Sequence, residues 1–513
     1  LFRLSDKNFM FKRLLLFFFL LIPAIAARAQ LMNYYWGHSF NSTSSLLGGA
    51  VIAGEAENTA IFYNPATINE MQHGSNLTLS ANLFTWNIYN FKNALGDGID
   101  LNTDNFLVQP QFMSYSYTPQ RKGISLSFAV LTRVKEQMEI TYINSSYKDV
   151  LNYLPGDEKY STTFNYRNDF SDTWAGAAMS HEVSSNFSYG ISLFVSGATL
   201  NYRFNYSATA FNSGDTAGGG IPIAWIAEGS YSEFVKFTDY RLILKLGFAY
   251  KAEKWRFGFT LTSPSWRLFS SGKRAQRIAQ QTNIRRDNVP AGYSDYLIFD
   301  GQKTNQLVTN FKLPFSAGFG FIYDLRSRGR KLFFSAEFFA GLKGYKMVDA
   351  QINPDITSRE VYDTLSNKDW TSYTYAANPV FNVAVGYSWS LSNDLIFMNA
   401  LRTDFSAVNN ADLGDYKDYN YIKTNRYNIY HYSGGVEFTL KKNRFIAGAD
   451  IAFGYQKNLP QIANFSSPVE YDESSGRALQ GPLKSEMDVY YFGFNIYLGA
   501  TLNFSKKKSR KEK

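Results

Sequence analysis

Hydrophobic and polar positions along this chain alternate with a period of two. The last segment shows it most clearly. From Val489 to Phe504 one parity reads Tyr490, Phe492, Phe494, Ile496, Leu498, Ala500, Leu502, Phe504, and the other is mixed and more polar, with Gly493, Asn495, Gly499, Thr501 and Asn503. Alternation over sixteen residues exceeds an average globular strand and suits a tilted strand that crosses a bilayer. The same pattern recurs upstream and predicts strands near 75–92, 107–118, 123–143, 170–183, 187–206, 234–252, 255–270, 307–324, 331–348, 373–391, 394–408, 425–441, 444–456 and 487–504. That makes about fourteen, an even number as a closed antiparallel barrel of a bacterial membrane requires. The connections alternate between tight (119–122, 184–186, 253–254, 325–330, 392–393, 442–443) and long (93–106, 144–169, 207–233, 271–306, 349–372, 409–424, 457–486). Short periplasmic turns opposite long outer loops would place both ends of the barrel in the periplasm. The expected fold class is all-β: a closed transmembrane β-barrel over 75–504.

Composition sharpens this. Aromatic residues make up 17% of the chain, with 36 Tyr and 44 Phe, yet mean hydropathy is only −0.27. Apolar outward positions, polar inward ones and aromatic girdles at both interfaces give that combination. Past the N-terminal region no window is apolar enough for a spanning helix. At the N-terminus, Met10, Lys12 and Arg13 precede an apolar run from Leu14 to Ile22, and Ala27-Arg28-Ala29 forms an A-x-A cleavage site. Residues 10–29 are therefore expected to be a signal peptide and the mature chain to start at Gln30. There is no Cys, so stability in an oxidising compartment owes nothing to disulfides.

The net charge of +9 is concentrated at the ends. Residues up to Ala29 carry five Lys/Arg against one Asp, and 505–513 carry six Lys/Arg against one Glu, which leaves 30–504 neutral. A nucleic-acid binder needs a basic face on a folded domain, so no nucleic-acid partner is expected. The segment 505–513 reads as a basic periplasmic tail.

Residues 30–74 do not alternate, are rich in small residues and contain Asn64-Pro65-Ala66. A fourteen-stranded barrel encloses more space than wall side chains fill, so this segment sits inside as a plug or hangs free below, and its small residues with Ile61-Phe62-Tyr63 favour packing inside. Asn64 can bond its own backbone and Pro65 fixes φ, which predicts a tight turn there.

At this point the sequence resembles the FadL family of long-chain fatty-acid and hydrocarbon transporters. The resemblance rests on Gly48-Gly49-Ala50, on Glu55-Ala56-Glu57-Asn58-Thr59-Ala60 and on Ile61-Phe62-Tyr63-Asn64-Pro65-Ala66, together with the strand count. Thr67-Ile68 stands where many members have Gly-Leu. The resemblance implies an N-terminal hatch over 30–74 and passive, hatch-gated uptake of hydrophobic small molecules, with release sideways through a gap in the wall. The end of the last strand, with Tyr497, Gly499, Leu502 and Phe504, resembles the signal read by the barrel-assembly machinery. That signal normally ends the chain, and here a tail follows it.

Candidate chemistry is sparse. His38, His73, His181 and His431 lie far apart, and no pair has metal spacing. There is no G-x-S-x-G elbow, and Glu55 stands where a P-loop needs Lys. Asp100, Asn102 and Asp104 have the spacing of a calcium loop, but Asn105 and Gln111 occupy its sixth and twelfth positions. No enzyme, cofactor or metal is expected. The parity opposite the apolar face puts Arg133, Lys135, Arg241, Lys245, Arg256, Lys343 and Arg402 in the lumen, with Glu337, Asp404, Glu437 and Asp450. Two readings follow. These charges neutralise one another and hold the plug, or the cations, with Lys343 and Arg402 foremost, receive a ligand carboxylate. Expected partners are outer-membrane lipid and lipopolysaccharide, a hydrophobic small molecule and, during biogenesis, the assembly machinery. The alternative function is an accessory or carrier barrel in a secretion or assembly complex, which would bring a protein partner.

Overall fold

A computed structural model describes residues 34–36, 40, 43–120, 123–214, 224–285, 296–325, 329–350, 355–356, 371–407 and 427–504. The expected signal peptide and basic tail lie outside these residues, as do the turn positions Lys122 and Arg328. The strands in chain order are β1 (Gly74–Lys92), β2 (Leu101–Thr118), β3 (Ile124–Lys148), β4 (Glu158–Glu182), β5 (Phe187–Asn212), β6 (Trp225–Lys251), β7 (Trp255–Thr262), β8 (Trp266–Thr282), β9 (Tyr296–Thr309), β10 (Ser316–Asp324), β11 (Arg330–Phe339), β12 (Leu342–Asp349), β13 (Asp355–Ile356), β14 (Tyr373–Ala377), β15 (Val380–Ser390), β16 (Leu395–Asp404), β17 (Asn428–Leu440), β18 (Asn443–Leu459), β19 (Val469–Asp472), β20 (Arg477–Gln480) and β21 (Met487–Asn503). All but the β19–β20 hairpin belong to one sheet, and β1 pairs antiparallel with β21, so the sheet closes. Counting interrupted strands once, the wall is a fourteen-stranded antiparallel barrel.

Four neighbouring wall strands are interrupted: β7/β8 at 263–265, β9/β10 at 310–315, β11/β12 at 340–341 and β14/β15 at 378–379. Three of the breaks contain a proline, Pro264, Pro314 and Pro379, which lacks the N–H a ladder needs; the fourth contains Gly341. The pieces below the breaks run eight to eleven residues, close to the ~9–11 that a tilted strand needs to cross a membrane. Above that level the wall continues. β3 to β6 run 25 to 27 residues, well past a bilayer. These extensions correct the expected boundaries: the loops expected at 144–169, 207–233 and 271–306 are largely strand. Without lipid on one side, the outward face there loses its apolar signature, and with it the alternation that marks a strand.

Below the breaks the outward residues are large and apolar. On β5 they are Phe187, Tyr189, Ile191, Leu193 and Val195, all exposed. Above, the inward parity is aromatic and buried, with Tyr160, Phe164, Phe170, Tyr202, Phe204 and Phe237. The last long loop, 460–486, folds over this upper lumen. Leu479 and Phe465 are buried, Tyr160 donates to the Leu479 carbonyl at 2.7 Å, and Lys148 Nζ donates to the Ser466 carbonyl at 2.6 Å.

Candidate functional site

The described part of the N-terminal segment holds α1 (Thr43–Leu46), a 3-10 turn at Glu57–Thr59, α2 (Ala60–Tyr63) and a second 3-10 turn at Pro65–Glu70. Gly48 and Gly49 adopt φ of +58° and +83°, which the Gly-Gly pair permits without a side-chain clash. Asn64 is extended and caps the second 3-10 turn. Its Oδ1 accepts from Ala66 N at 3.1 Å, and Pro65 occupies the first position of the turn. The Asn64 amide also donates to the Ile52 carbonyl at 2.7 Å and to the Phe248 carbonyl of β6 at 3.0 Å. The three residues Asn64, Pro65 and Ala66 thus form one rigid turn tied to the wall.

Small inward residues receive this segment. Ser180 and Ser188 donate to the Ala66 carbonyl at 3.0 and 2.9 Å, and Ser192 donates to the Ile61 carbonyl at 2.7 Å. A β-carbon at Gly190 would lie 2.4 Å from Pro65, one at Gly258 2.0 Å from the Ile52 carbonyl oxygen, and one at Gly448 2.6 Å from Leu46. Further contacts reach Ser80 of β1 through the Phe40 carbonyl, Ser335 of β11 through Ile52 N, and Gly386 of β15 beside Leu47. The described residues of the segment thus contact inward positions on β1, β4, β5, β6, β7, β11, β15 and β18. Sequence reasoning missed this bed of wall glycines and serines. The signal was the run of small residues on the inward parity, such as Ser188, Gly190 and Ser192.

Three acids of the segment face bases of the wall near the tight-turn end. Glu55 meets Arg256 at 3.3 Å and also Lys331. Glu70 meets Lys251 at 3.1 Å and Arg256 at 3.8 Å, and Glu57 meets Arg444 at 2.7 Å. Arg256, expected as a ligand contact, therefore belongs to the clamp on the segment.

The other expected cations separate into different roles. Arg241 pairs with Asp239 at 2.9 Å, and Asp239 accepts from Thr309 and from Phe311 N, so the pair braces the break at 310–315. Arg402 is buried with Nη2 at 3.1 Å from His431 Nε2, and His431 Nδ1 lies 3.0 Å from Asp450. Lys343 is exposed, because it lies in the bulge between Leu342 and Tyr345 that interrupts the register of β12. Lys135 is only half-buried, because a bulge between Thr132 and Val134 shifts the register of β3. Of these seven cations, Arg133 and Lys245 border one cavity.

That cavity lies against the inner segment and the wall breaks. Trp36 and Phe62 of the segment, Trp174, Leu313, Pro314 and Phe339 of the wall supply its apolar lining. Arg133 bonds Asp172 at 2.7 Å and the Tyr35 carbonyl at 2.9 Å, while its Nη2 has no hydrogen-bond partner among the described residues. Lys245 Nζ donates to the Phe62 carbonyl at 2.8 Å and sits 4.9 Å from that ring's centre. Glu337 accepts from Trp36 Nε1 and Ser316 Oγ, both at 2.7 Å. Room for the centre of a water-sized guest totals about 40 Å3. Since one water needs ~10–15 Å3 by that measure, a few waters fit and a long acyl chain does not. Nearby on the segment, burial pushes the Tyr63 hydroxyl up to about 12.

Tyr497 and Gly499 of the expected assembly signal lie on the same parity of β21, and Tyr497 is buried against Gly448; Leu502 lies on the opposite parity, and Phe504, just past β21, is exposed. Asp100, Asn102 and Asp104 lie at the β1–β2 connection and the start of β2, where Asp100 accepts from Asn93 N at 2.8 Å.

Neither a family model nor a curated protein matches this sequence. Solved structures do match. A FadL homologue of Pseudomonas aeruginosa aligns over 94% of this chain and all of its own at 12% identity, with a TM-score of 0.52. The toluene transporter TodX of Pseudomonas putida aligns over 93% of this chain and all of its own at 12% identity, with a TM-score of 0.54. Identity this low carries architecture only: this chain has the same barrel fold as those two structures.

Proposed function

We propose that this chain is an outer-membrane channel for hydrophobic small molecules, with residues 30–74 as a hatch that moves to open it. The observation that carries the proposal is the placement of the cavity. It is lined by aromatic residues, it includes side chains of both the segment and the wall, and it is too small for a ligand until the segment shifts. The clamp of Glu55, Glu57 and Glu70 is electrostatic and reversible, as a gate requires. The likeness to a toluene transporter and a FadL homologue supports the reading at the level of fold.

A sideways exit fits the seam between β2 and β3. Their ladder ends at the pair Phe112–Leu131, although both strands continue. Above it two side chains bridge the strands, Thr103 Oγ1 to the Glu139 carbonyl and Asn105 Nδ2 to the Gln137 carbonyl, each at 2.7 Å. Pro110 of β2 has no N–H to offer the seam. Reconstitution in vesicles tests the function. Entry of a long-chain fatty acid or toluene should be faster with the protein than without it, and equal rates reject the channel reading.

The alternative, a carrier barrel with a protein partner, is favoured by one observation. Ile143 and Tyr147 are 74% and 72% exposed on β3, far above the apolar belt. A discrete photocrosslinked adduct from Tyr147 in intact cells, with no ligand uptake, would move the assignment there.

A further inference from the structure

The outward face of the wall changes chemistry abruptly along β5, β6 and β8. Reading upward, the outward cross-strand pairs of β5 and β6 are Val195–Leu242, Gly197–Tyr240, Thr199–Thr238, Asn201–Lys236 and Arg203–Phe234. Across to β8, Tyr240 faces Phe269, Thr238 faces Ser271 and Lys236 faces Arg274. The Tyr240 and Phe269 rings stack at 4.5 Å and end the apolar belt, as an interfacial aromatic pair does. One polar rung follows, then a rung of cations.

The cations are gathered rather than scattered. The Phe234 ring lies between Arg203 at 5.6 Å and Arg274 at 5.1 Å, so one aromatic residue orients both guanidiniums. Lys236 stands beside Arg274, and Lys273 adds an exposed ammonium in the bulge next to it. The acids of β6 in this stretch, Glu233 and Asp239, are fully buried and face inward. Among the described residues the nearest outward acid, Asp169 on β4, is held by Arg167 at 2.7 Å, and Arg167 also faces Glu139 at 4.0 Å. The patch over β5, β6 and β8 is therefore a net positive surface.

Its height matters. Lys236 lies four residues beyond Tyr240. At ~3.3 Å per residue on a strand tilted ~45°, that is roughly 9 Å past the hydrocarbon edge. Lipid headgroups occupy about 5–8 Å on each side of the hydrocarbon, and long side chains reach back the difference.

We propose that Arg203, Lys236, Lys273 and Arg274 form a docking site for the phosphates of an outer-leaflet glycolipid of the lipid A type. Guanidiniums bind phosphate through paired N–H groups, and the lysines add mobile charge. The sugar backbone would then lie over the Tyr240–Phe269 stack with its acyl chains along the belt below. The inference rests on the outer-membrane reading but not on transport.

The test uses the purified full-length barrel in neutral detergent and the triple variant K236Q/K273Q/R274Q. All three residues face outward, so the variant should keep the parent's circular dichroism and thermal unfolding. Binding of diphosphoryl lipid A, followed by native mass spectrometry, is expected to weaken about tenfold in the variant and to fall with added salt. Lipid A stripped of phosphate should bind the parent about as weakly. Unchanged binding by the variant overturns the site. So does equal binding of dephosphorylated lipid A, equal competition by phosphatidylglycerol, or displacement by equimolar inorganic phosphate. Uptake by the same variant, measured separately in vesicles, keeps the docking question apart from the channel question.

Discussion

Gly247 of β6 and Asn64 of the inner segment touch through the space a side chain would need: a β-carbon on Gly247 would lie 2.1 Å from Asn64 Oδ1. The same amide group caps the Pro65–Glu70 turn and bonds the Phe248 carbonyl one residue further along β6. Gly247→Ala should therefore push the turn off the wall without altering the outward face. The expected result is a stable barrel with raised leak of small solutes, read as single-channel conductance. Parental conductance would show that the wall can yield.

Asn64→Ala removes the cap and leaves the Ile52 and Phe248 carbonyls without their amide donor. Buried bonds contribute ~0.5–1.5 kcal/mol net each, and stranded partners cost ~1–3. Docking of the segment should weaken by about 3 kcal/mol, roughly a hundredfold in the closed-to-open ratio. Limited proteolysis within residues 43–73 should become fast in the variant while the wall stays resistant.

The clamp predicts a salt-sensitive gate. Partly exposed ion pairs contribute ~0.2–1 kcal/mol each, so E55Q/E57Q/E70Q should loosen the segment by about 2 kcal/mol. Raising ionic strength should narrow the conductance difference between parent and variant, because salt screens the parent's pairs. A difference independent of salt would mean that the acids act through packing instead.

Lys245 is the cleanest test of an acidic ligand head. Lys245→Met should weaken binding of a long-chain fatty acid about tenfold more than binding of the matching alcohol, since a hydrogen bond to a charged group contributes ~1.5–3 kcal/mol. The shared tail cancels in the comparison, and so does any loosening of Phe62. Arg402→Ala should show no such preference, because Arg402 is engaged with His431, and neither should Lys343→Ala. Equal loss of acid and alcohol at Lys245 would reject the carboxylate site.

The loop 460–486 should be removable from the mouth by one small change. A β-carbon at Gly229 would lie 2.8 Å from the Ala478 carbonyl oxygen. Gly229→Val should unseat the β19–β20 hairpin and expose 460–486 to added protease on intact cells. The exposed Lys484 hydrogen bond holds the Asp97 carboxyl below its ordinary value. That tie therefore persists through neutral pH and is lost as pH falls through the lowered Asp97 value. Protection in the variant equal to the parent's would show that the hairpin is held elsewhere.

Strand number, the outward face and closure were legible in the sequence because each follows from a local rule. Period-two alternation against lipid marks a strand whatever its neighbours are, and an even count with alternating loop lengths closes a ring. The turn at Asn64-Pro65-Ala66 was legible for the same reason, since cap and φ restriction lie within three residues. The roles of the inward cations were not. Parity placed Arg133, Arg256 and Arg402 alike, but Asp172, Glu55 and His431 meet them from other elements, and only the tertiary fold decides those meetings; Asp239, two residues from Arg241 on the same strand and parity, is the local exception. Lys343 escaped because it lies in a bulge of β12, and the alternation rule assumes an unbroken ladder. The cavity of Arg133 and Lys245 exists only where the N-terminal segment meets the wall. Its shape depends on contacts between residues as distant as Phe62 and Lys245, which no local pattern encodes.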